Sequence, residues 1–346
     1  MKVLVIKTSS LGDVLHTLPA LSDAMRALPG IRFDWVVEEA FAEIPAWHSA
    51  VDRVIPVAWR RWRRAPIKTL RTGEWTRFWS LLRAEKYDKI IDAQGLLKSA
   101  LLTCMARGER CGPDFSSARE SWSALAYQQR YTILEQQHAI ARMRQLFAAA
   151  LGYAIPQDTP EYGINKRQFV QHTAREKYVL FLHGTNWTSK QWPESYWIML
   201  AELANQAGFT VCLPWGSSSE LQRAQHIASA SKKSEVLPKM NLSEVASVLC
   251  HASAVVAVDT GLAHLAAALS VPCVTLYGAT KPELTGTLGE NQHHLCAEFI
   301  CAPCLRRTCN YTKATEIKPA CYQSIAPARV WHHATLLMRS TTAVTQ

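Results

Sequence analysis

The chain has 346 residues, of which 48% are hydrophobic and 19% are charged. This composition is typical of a packed globular protein and excludes a disordered, collagen-like or coiled-coil chain, and the length favours two domains. The formal net charge of +10 indicates an anionic partner: nucleic acid, acidic lipid and sugar phosphates all qualify.

The beginning of the chain carries a short apolar run, Val3–Ile6, that is too short for a secretory signal. No apolar run reaches the roughly 20 residues that a membrane-spanning helix needs. We therefore expect a cytoplasmic protein whose contact with a membrane is peripheral. Cysteines such as Cys212 and Cys273 lie in strand-like apolar surroundings, so we expect reduced thiols.

Short apolar runs alternate with helix-length segments in the first half of the chain. Strands are predicted at 3–6, 33–37, 54–57 and 89–92, a first helix at about 14–28 and another helix after 92. This rhythm is typical of parallel βαβ units. Residues 115–152 carry no strand pattern and are predicted to be helical, and the stretch from Pro156 to Pro160 indicates a linker.

The same rhythm returns in the second half of the chain. Strands are predicted at 178–182, 210–213, 235–237, 254–258 and 274–277. The sequence thus predicts an α/β fold with two doubly wound, Rossmann-like domains, 1–160 and 161–346, that face a central cleft. Open α/β sheets bind ligands at the carboxyl ends of their strands. After Cys296 the periodicity is lost.

Two turns join a predicted strand to a helix through small polar residues. Lys7–Asp13 offers backbone N–H groups and hydroxyls to an anion or a sugar, although Asp13 is also typical of a helix cap. Val258–His264 contains Gly261, which permits close backbone approach, and is a candidate pyrophosphate site. Its alternative is a capped helix start with His264 packed on the first turn.

Two charged residues follow the remaining strand ends. Lys190 supplies a point charge for a leaving diphosphate, and Glu220 can accept two hydrogen bonds from a ribose diol. Each alone is more typical of a solvated surface charge. Together with the two turns they indicate a nucleotide-diphosphate site. Neither G-x-G-x-x-G nor a Walker A pattern occurs, which disfavours nicotinamide-dependent and P-loop enzymes.

Four segments resemble the heptosyltransferases of glycosyltransferase family 9, which have the GT-B fold. They are Lys7–Leu21, Phe33–Glu39, Asp92–Leu96 and Val258–His264, and the resemblance runs from residue 1 to about residue 290. It implies inverting transfer of L-glycero-D-manno-heptose from ADP-heptose to the Kdo of Kdo2-lipid A, in the inner core of lipopolysaccharide. The alternatives are a related enzyme that adds a later core heptose, or another sugar, and a non-catalytic nucleotide- or nucleic-acid-binding module.

The resemblance also implies roles for individual residues. Asp13 becomes the general base and Lys190 the group that stabilises the departing ADP. The implied donor-binding residues are Thr185, Glu220, Met240, Asp259, Thr260, Gly261 and His264. The implied acceptor-binding residues are Ser10, Gly12, Arg60, Arg61, Arg63, Arg64, Lys98 and Arg119. No cofactor is expected, and because the chain has no Asp-x-Asp pair, a metal-bridged diphosphate is disfavoured relative to one neutralised by lysine and a helix N-terminus.

The basic run Trp59–Arg64 has three further interpretations. It could be a solvated loop, a nonspecific nucleic-acid patch, or a surface whose tryptophans lie in the headgroup zone of a bilayer. Because guanidinium groups bind phosphate and carboxylate bidentately, we favour acceptor binding and expect no nucleic-acid partner.

The cysteine-rich tail departs from the family pattern. Cys301, Cys304, Cys309 and Cys321 could hold a structural zinc ion, but the flanking loops lack the full two-knuckle pattern. Free thiols, or a disulfide formed on oxidation, are the alternative.

Overall fold

The structure, a computed structural model, describes residues 1–169 and 177–344. The chain divides into two compact units, Met1–Asn165 and Lys166–Gln346. The break lies a few residues beyond the boundary placed at 160 from the sequence. Each unit contains one six-stranded sheet.

The first sheet consists of parallel strands in the order β3-β2-β1-β4-β5-β6. The strands are β1 Lys2–Ile6, β2 Arg32–Glu38, β3 Val51–Val57, β4 Tyr87–Asp92, β5 Gly108–Pro113 and β6 Gln129–Tyr131. The helices are α1 Leu11–Leu15, α2 Leu18–Ala27, α3 Glu43–Ala46, α4 Trp59–Arg64, α5 Pro66–Arg71, α6 Glu74–Arg83, α7 Leu97–Met105 and α8 Ala139–Leu151. The strand order reverses between β1 and β4, the point at which doubly wound sheets bind ligands.

All four strands predicted in this unit are confirmed, but other predictions were wrong. The helix expected over 14–28 is two helices, because Pro19 lies in the first turn of α2, where a missing N–H costs no bond. β5 was missed, since its Gly and Pro residues are poor strand formers. β6 lies within the stretch predicted to be helical; it has only three residues, two of them exposed, and shows no apolar alternation.

The second sheet is also parallel, in the order β12-β11-β10-β7-β8-β9. Its strands are β7 Tyr178–Leu182, β8 Thr210–Leu213, β9 Ser234–Val236, β10 Ala254–Val258, β11 Cys273–Tyr277 and β12 Gln292–Cys296. The helices are α9 Glu194–Gln206, α10 Ser218–Ser229, α11 Leu242–Cys250, α12 Gly261–Ala268, α13 Pro282–Thr285 and α14 Pro327–Val344. The order reverses between β7 and β10.

The five strands predicted in this unit are confirmed, and the predicted α/β class holds for both units. β12 and α14 were missed. β12 is a polar edge strand with two histidines, and the helical spacing of the apolar residues in α14 was overlooked. The tail nevertheless belongs to the core, since Tyr322, Ile325 and Val330 pack with Phe181 and Trp197. Within 1–169 and 177–344, no helix combines the length and apolar character needed to cross a bilayer.

Candidate active site

In the second unit, the ends of β7, β10 and β11 meet at an ion pair. The Lys190 Nζ lies 2.7 Å from an Asp259 carboxylate oxygen, and both side chains are largely buried. The Thr280 hydroxyl donates to the same oxygen at 2.5 Å, and the Thr185 hydroxyl donates to the Asp259 carbonyl at 3.4 Å. Two predicted donor-binding residues, Thr185 and Asp259, are thus brought together with Lys190, the predicted catalytic lysine. Thr280, which the sequence analysis missed, lies three residues after the end of β11 and could have been found from that position.

The loop that carries Lys190 is fastened by the cysteine-rich tail. The Arg307 carbonyl accepts from the Ser189 N–H at 3.2 Å, and the Tyr322 hydroxyl donates to the Lys190 carbonyl at 2.9 Å. The Lys190 ammonium lies 4.4 Å from the centre of the Trp187 ring, and the Arg307 guanidinium lies 5.7 Å from the same centre. Sequence reasoning gave no role to Trp187 or Arg307, since neither belongs to a motif.

The turn after β10 ends in the first residues of α12. Thr260 is the N-cap in extended conformation, yet its hydroxyl makes no capping hydrogen bond. Gly261 opens the helix, and the first N–H groups of a helix lack intrahelical acceptors and carry a partial positive charge. His264 is buried in the first turn. The turn is therefore suited to an anion. His264 is also buried on the first turn of α12, which agrees with the alternative of a capped helix start.

Glu220 has a helix-capping role that the sequence analysis did not give it. Its Oε2 accepts from the backbone N–H groups of Gly216 and Ser217 at 2.8 and 3.1 Å, which completes the capping box of α10. Its other oxygen, Oε1, faces Gly184 at the end of β7, where an added Cβ would lie 2.4 Å away. Oε1 therefore lies close to the backbone at the end of β7. Met240 is half-buried and precedes Asn241, the N-cap of α11.

In the first unit, Asp13 lies in the turn after β1, on the short helix α1. One of its carboxylate oxygens accepts from the N–H and the hydroxyl of Ser10, each at 2.8 Å, so Asp13 does cap the helix. Burial alone would raise the pKa of Asp13, but the Lys7 charge, these two hydrogen bonds and Arg119 outweigh it and lower the pKa. The carboxylate is thus ionised and oriented. Gly12 is buried in the same helix.

Two residues outside the predicted set hold this turn at the switch point. The Gln94 side chain accepts from the N–H groups of Thr8 and Ser9 at 2.9 and 3.1 Å and donates to the Ser9 carbonyl at 2.8 Å. The buried Lys7 donates to the Ala93 carbonyl at 2.7 Å. Both contacts join the ends of β1 and β4. Gln94 lies inside the motif 92–96 and could have been found there.

Three of the predicted acceptor residues, Arg60, Lys98 and Arg119, lie close enough to influence one another electrostatically. The Lys98 ammonium donates to the Ser9 hydroxyl at 3.4 Å. Burial lowers the pKa of Lys98, and the positive charges of Arg60 and Arg119 also lower it, whereas the carboxylates of Glu38 and Glu120 raise it. Cations and carboxylates therefore both lie close to Lys98.

The other predicted acceptor arginines lie on α4. Arg61 is held by Glu39 and Glu74, with contacts of 2.9 and 2.6 Å. Arg63 and Arg64 are exposed on α4. The basic run is thus helical, not a loop.

The tryptophans of the basic run do not project toward a bilayer. Trp62 is buried, and Trp59 is half-buried. Their rings pack edge-on or tilted on each other and on Trp75, with centroids 5.4 to 6.0 Å apart. These aromatic side chains form part of the core of the first unit, which corrects the expectation of a headgroup-facing surface.

The four tail cysteines line one cavity of about 10 Å³, together with Ser189, Gly278 and others. Their thiols are all free. Nowhere in the described ranges do three or more His, Cys, Asp or Glu side chains stand in positions to hold a metal ion. The zinc interpretation stays a prediction, and the contacts that the tail makes hold the Lys190 loop.

Comparison with known proteins gives a consistent result. Residues 75–315 match the family described as glycosyltransferase family 9 (heptosyltransferase). The lipopolysaccharide heptosyltransferase 1 of Pseudomonas aeruginosa is 51% identical over 340 residues, covering 95% of this chain and 96% of the relative.

One solved structure adds a ligand to the comparison. It is described as Escherichia coli heptosyltransferase WaaC with ADP-2-deoxy-2-fluoro heptose; it is 50% identical, with a TM-score of 0.79, and covers 86% of this chain and 94% of that one. By contrast, lipopolysaccharide heptosyltransferase 2 of E. coli is 25% identical, covering 83% of this chain and 86% of the relative.

Proposed function

Because this chain belongs to glycosyltransferase family 9, we propose that it catalyses the reaction of the heptosyltransferase 1 enzymes, using ADP-L-glycero-D-manno-heptose as donor. The single observation that carries this is 51% identity across nearly the full length of a heptosyltransferase 1, against 25% for a heptosyltransferase 2. The acceptor is the Kdo of Kdo2-lipid A, and the product carries the first heptose of the lipopolysaccharide inner core.

The general base is Asp13. A Kdo hydroxyl is a poor nucleophile at neutral pH, and a positioned carboxylate that takes its proton contributes about a hundredfold to ten-thousandfold. The hydroxyl oxygen forms a bond to the anomeric carbon of heptose from the face opposite ADP, the carbon–phosphate oxygen bond breaks, and the configuration inverts. The two hydrogen bonds from Ser10 support this role, because they fix the orientation of the ionised carboxylate.

The donor residues stabilise the charge that develops on ADP. Lys190 supplies a cation and the first turn of α12 supplies N–H groups, so no metal is required. Lys190 pairs with Asp259, which holds the ammonium beside the turn that leads into α12. Glu220 accepts the ribose hydroxyls through Oε1, and Thr185, Met240, Thr260 and His264 line the nucleotide and sugar.

Positive side chains favour an acceptor that carries several negative charges. Kdo supplies carboxylates and lipid A supplies phosphates, and cations next to the base steer and orient both. Arg60, Lys98 and Arg119 act together there, as the electrostatic contacts of Lys98 support, and Ser10 and Gly12 line the turn. Arg61, Arg63 and Arg64 extend the positive surface along α4.

Since this acceptor is a membrane lipid, we also propose peripheral association with the cytoplasmic face of the inner membrane.

The alternative of an enzyme that adds a later heptose predicts a preference for an acceptor that already carries one. The test is ADP release with ADP-heptose and either Kdo2-lipid A or heptosyl-Kdo2-lipid A. We expect release only with the former; faster release with the heptosylated acceptor would favour the alternative.

A further inference from the structure

One face of the first unit exposes large apolar side chains on two adjoining elements. On α7, Leu97 and Leu101 are 53% and 50% exposed, and their spacing of four places them on one face of the helix. On the 3-10 helix Ser121–Ala126, Trp122 and Leu125 are 71% and 63% exposed. Residues three apart on a 3-10 helix also share a face.

The two elements are held against each other. α7 contacts the 3-10 helix directly, and the Leu97 N–H donates to the Glu120 carboxylate at 2.6 Å. The Glu120 N–H donates to the Gly95 carbonyl at 3.0 Å. The inner residues of the 3-10 helix, Ser123 and Ala124, are buried. The exposure of Trp122 and Leu125 is thus fixed by the fold and does not arise from a frayed loop.

Scattered apolar residues on a surface need no explanation, but a group of large ones marks an interaction site. We propose that Leu97, Leu101, Trp122 and Leu125, here called the apolar patch, enter the boundary between headgroups and acyl chains of an acidic bilayer. This inference rests on the proposed function, since the acceptor named there is a bilayer lipid.

Charge complementarity favours a bilayer over a protein as the occupant. Lys98 follows Leu97 on α7 and is exposed, and Arg119 lies three residues before Trp122 and is also exposed. Glu120 follows Arg119 and is the one acidic residue in 97–101 and 119–125, so the two cations outnumber the carboxylates there. Tryptophan prefers the membrane interface, and cations next to it favour acidic headgroups.

The patch adjoins the residues assigned to the acceptor. Lys98 and Arg119 are both acceptor residues in the proposed function, and Lys98 contacts Ser9 in the Asp13 turn. Insertion of the patch would therefore bring the Asp13 turn to the headgroup level, where the Kdo of a lipid-anchored acceptor is located. The tryptophans of α4 cannot insert into a bilayer in this way, because they pack in and against the core of the first unit.

The test is cosedimentation of the full chain with vesicles of phosphatidylglycerol or of phosphatidylcholine. The double variants Leu97→Ser with Leu101→Ser, and Trp122→Ser with Leu125→Ser, are compared with a control of Ile300→Ser and Leu336→Ser, two exposed apolar residues of the second unit. We expect each patch variant to lower partitioning onto phosphatidylglycerol vesicles at least tenfold, with the control unchanged. Binding like that of the wild type would overturn the proposal.

Two further readouts separate this inference from the proposed function. Patch variants should raise KM for Kdo2-lipid A in vesicles, while turnover of a deacylated, water-soluble Kdo acceptor stays at the wild-type value. If the wild type fails on both acceptors, the proposed function fails, but the vesicle result still decides the patch. If the variants instead dissociate an oligomer in light scattering, the patch is a protein interface and the inference is wrong.

Discussion

The ammonium of Lys190 is paired with the carboxylate of Asp259 at 2.7 Å, between the loop after β7 and the turn after β10. A lysine in a loop would otherwise sample many rotamers. The Lys190 side chain is restricted by its pair with Asp259 and by the Trp187 ring beneath the ammonium. The tail carbonyl that holds Ser189 restricts the backbone next to it. The ammonium is thus held in one position, from which, in the proposed function, a diphosphate would replace or share Asp259 as its partner.

Removing this cation should affect both donor binding and chemistry. In Lys190→Gln the amide can still contact Asp259 but brings no charge to the leaving diphosphate, so we expect kcat to fall by about a hundredfold or more. KM for ADP-heptose should rise. Lys232→Gln, at an exposed lysine of the same unit, is the control in steady-state assays. Unchanged kcat in Lys190→Gln would remove the lysine from the reaction.

Glu220 and Glu244 provide a matched pair. Both occupy the third position of a capping box, on α10 and α11, so changing either to Gln has a similar small effect on Tm, because glutamine also fits this motif. Only Glu220→Gln should raise KM for ADP-heptose, by about tenfold, a loss of roughly 1.4 kcal/mol of binding. Equal donor KM values in the two variants would show that Glu220 is only a cap.

The pH dependence of kcat/KM tests whether nearby charges lower the pKa of Asp13. Its pKa is lowered, so the acid limb of kcat/KM should lie below the ordinary range of an aspartate, with loss of activity as the pH falls through that pKa. Lys7→Met removes the largest of the influences that lower the pKa, so the acid limb should move to higher pH. Lys89→Met, at a lysine paired with Glu109, should leave the limb in place. If the acid limb of kcat/KM stays in place in Lys7→Met, the Lys7 charge does not lower the pKa of the catalytic base.

Acceptor recognition is tested at Lys98. Lys98→Met removes the cation that contacts Ser9 and should raise KM for Kdo2-lipid A about tenfold, without changing KM for ADP-heptose. Lys86→Met, at an exposed lysine of the same unit, is the control. If the donor KM rises instead, Lys98 belongs to the nucleotide site.

Much of the fold follows from local pattern. Buried central strands such as β1 and β10 are uninterrupted apolar runs that end at a polar turn, so nine strands and both key turns could be predicted from periodicity. β6 and β12 could not, because their sequences, Gln129–Tyr131 and Gln292–Cys296, are mostly polar and show no apolar alternation. α14 carries apolar residues at helical spacing, Val330, Ala334 and Leu337, which pack with the core of the second unit; the sequence analysis missed this pattern.

The candidate site was predicted where a motif carries the residues. Asp13, Asp259 and Gly261 lie in turns whose composition indicates ligand binding. Trp187 and Arg307 were missed because they are separated by more than 100 residues in the sequence, and only the tertiary fold makes them neighbours. The apolar patch was missed for a similar reason, since the exposure of Trp122 depends on how the 3-10 helix packs on α7.

The most direct measurement is ADP release by Asp13→Asn, with ADP-heptose binding measured in parallel by calorimetry. The amide preserves the shape of the side chain but takes no proton. We predict that turnover with Kdo2-lipid A falls by at least a hundredfold, while ADP-heptose binds with wild-type affinity, because the donor residues lie in the other unit. Turnover close to that of the wild type would contradict the assignment of Asp13 as the base, and with it the proposed mechanism.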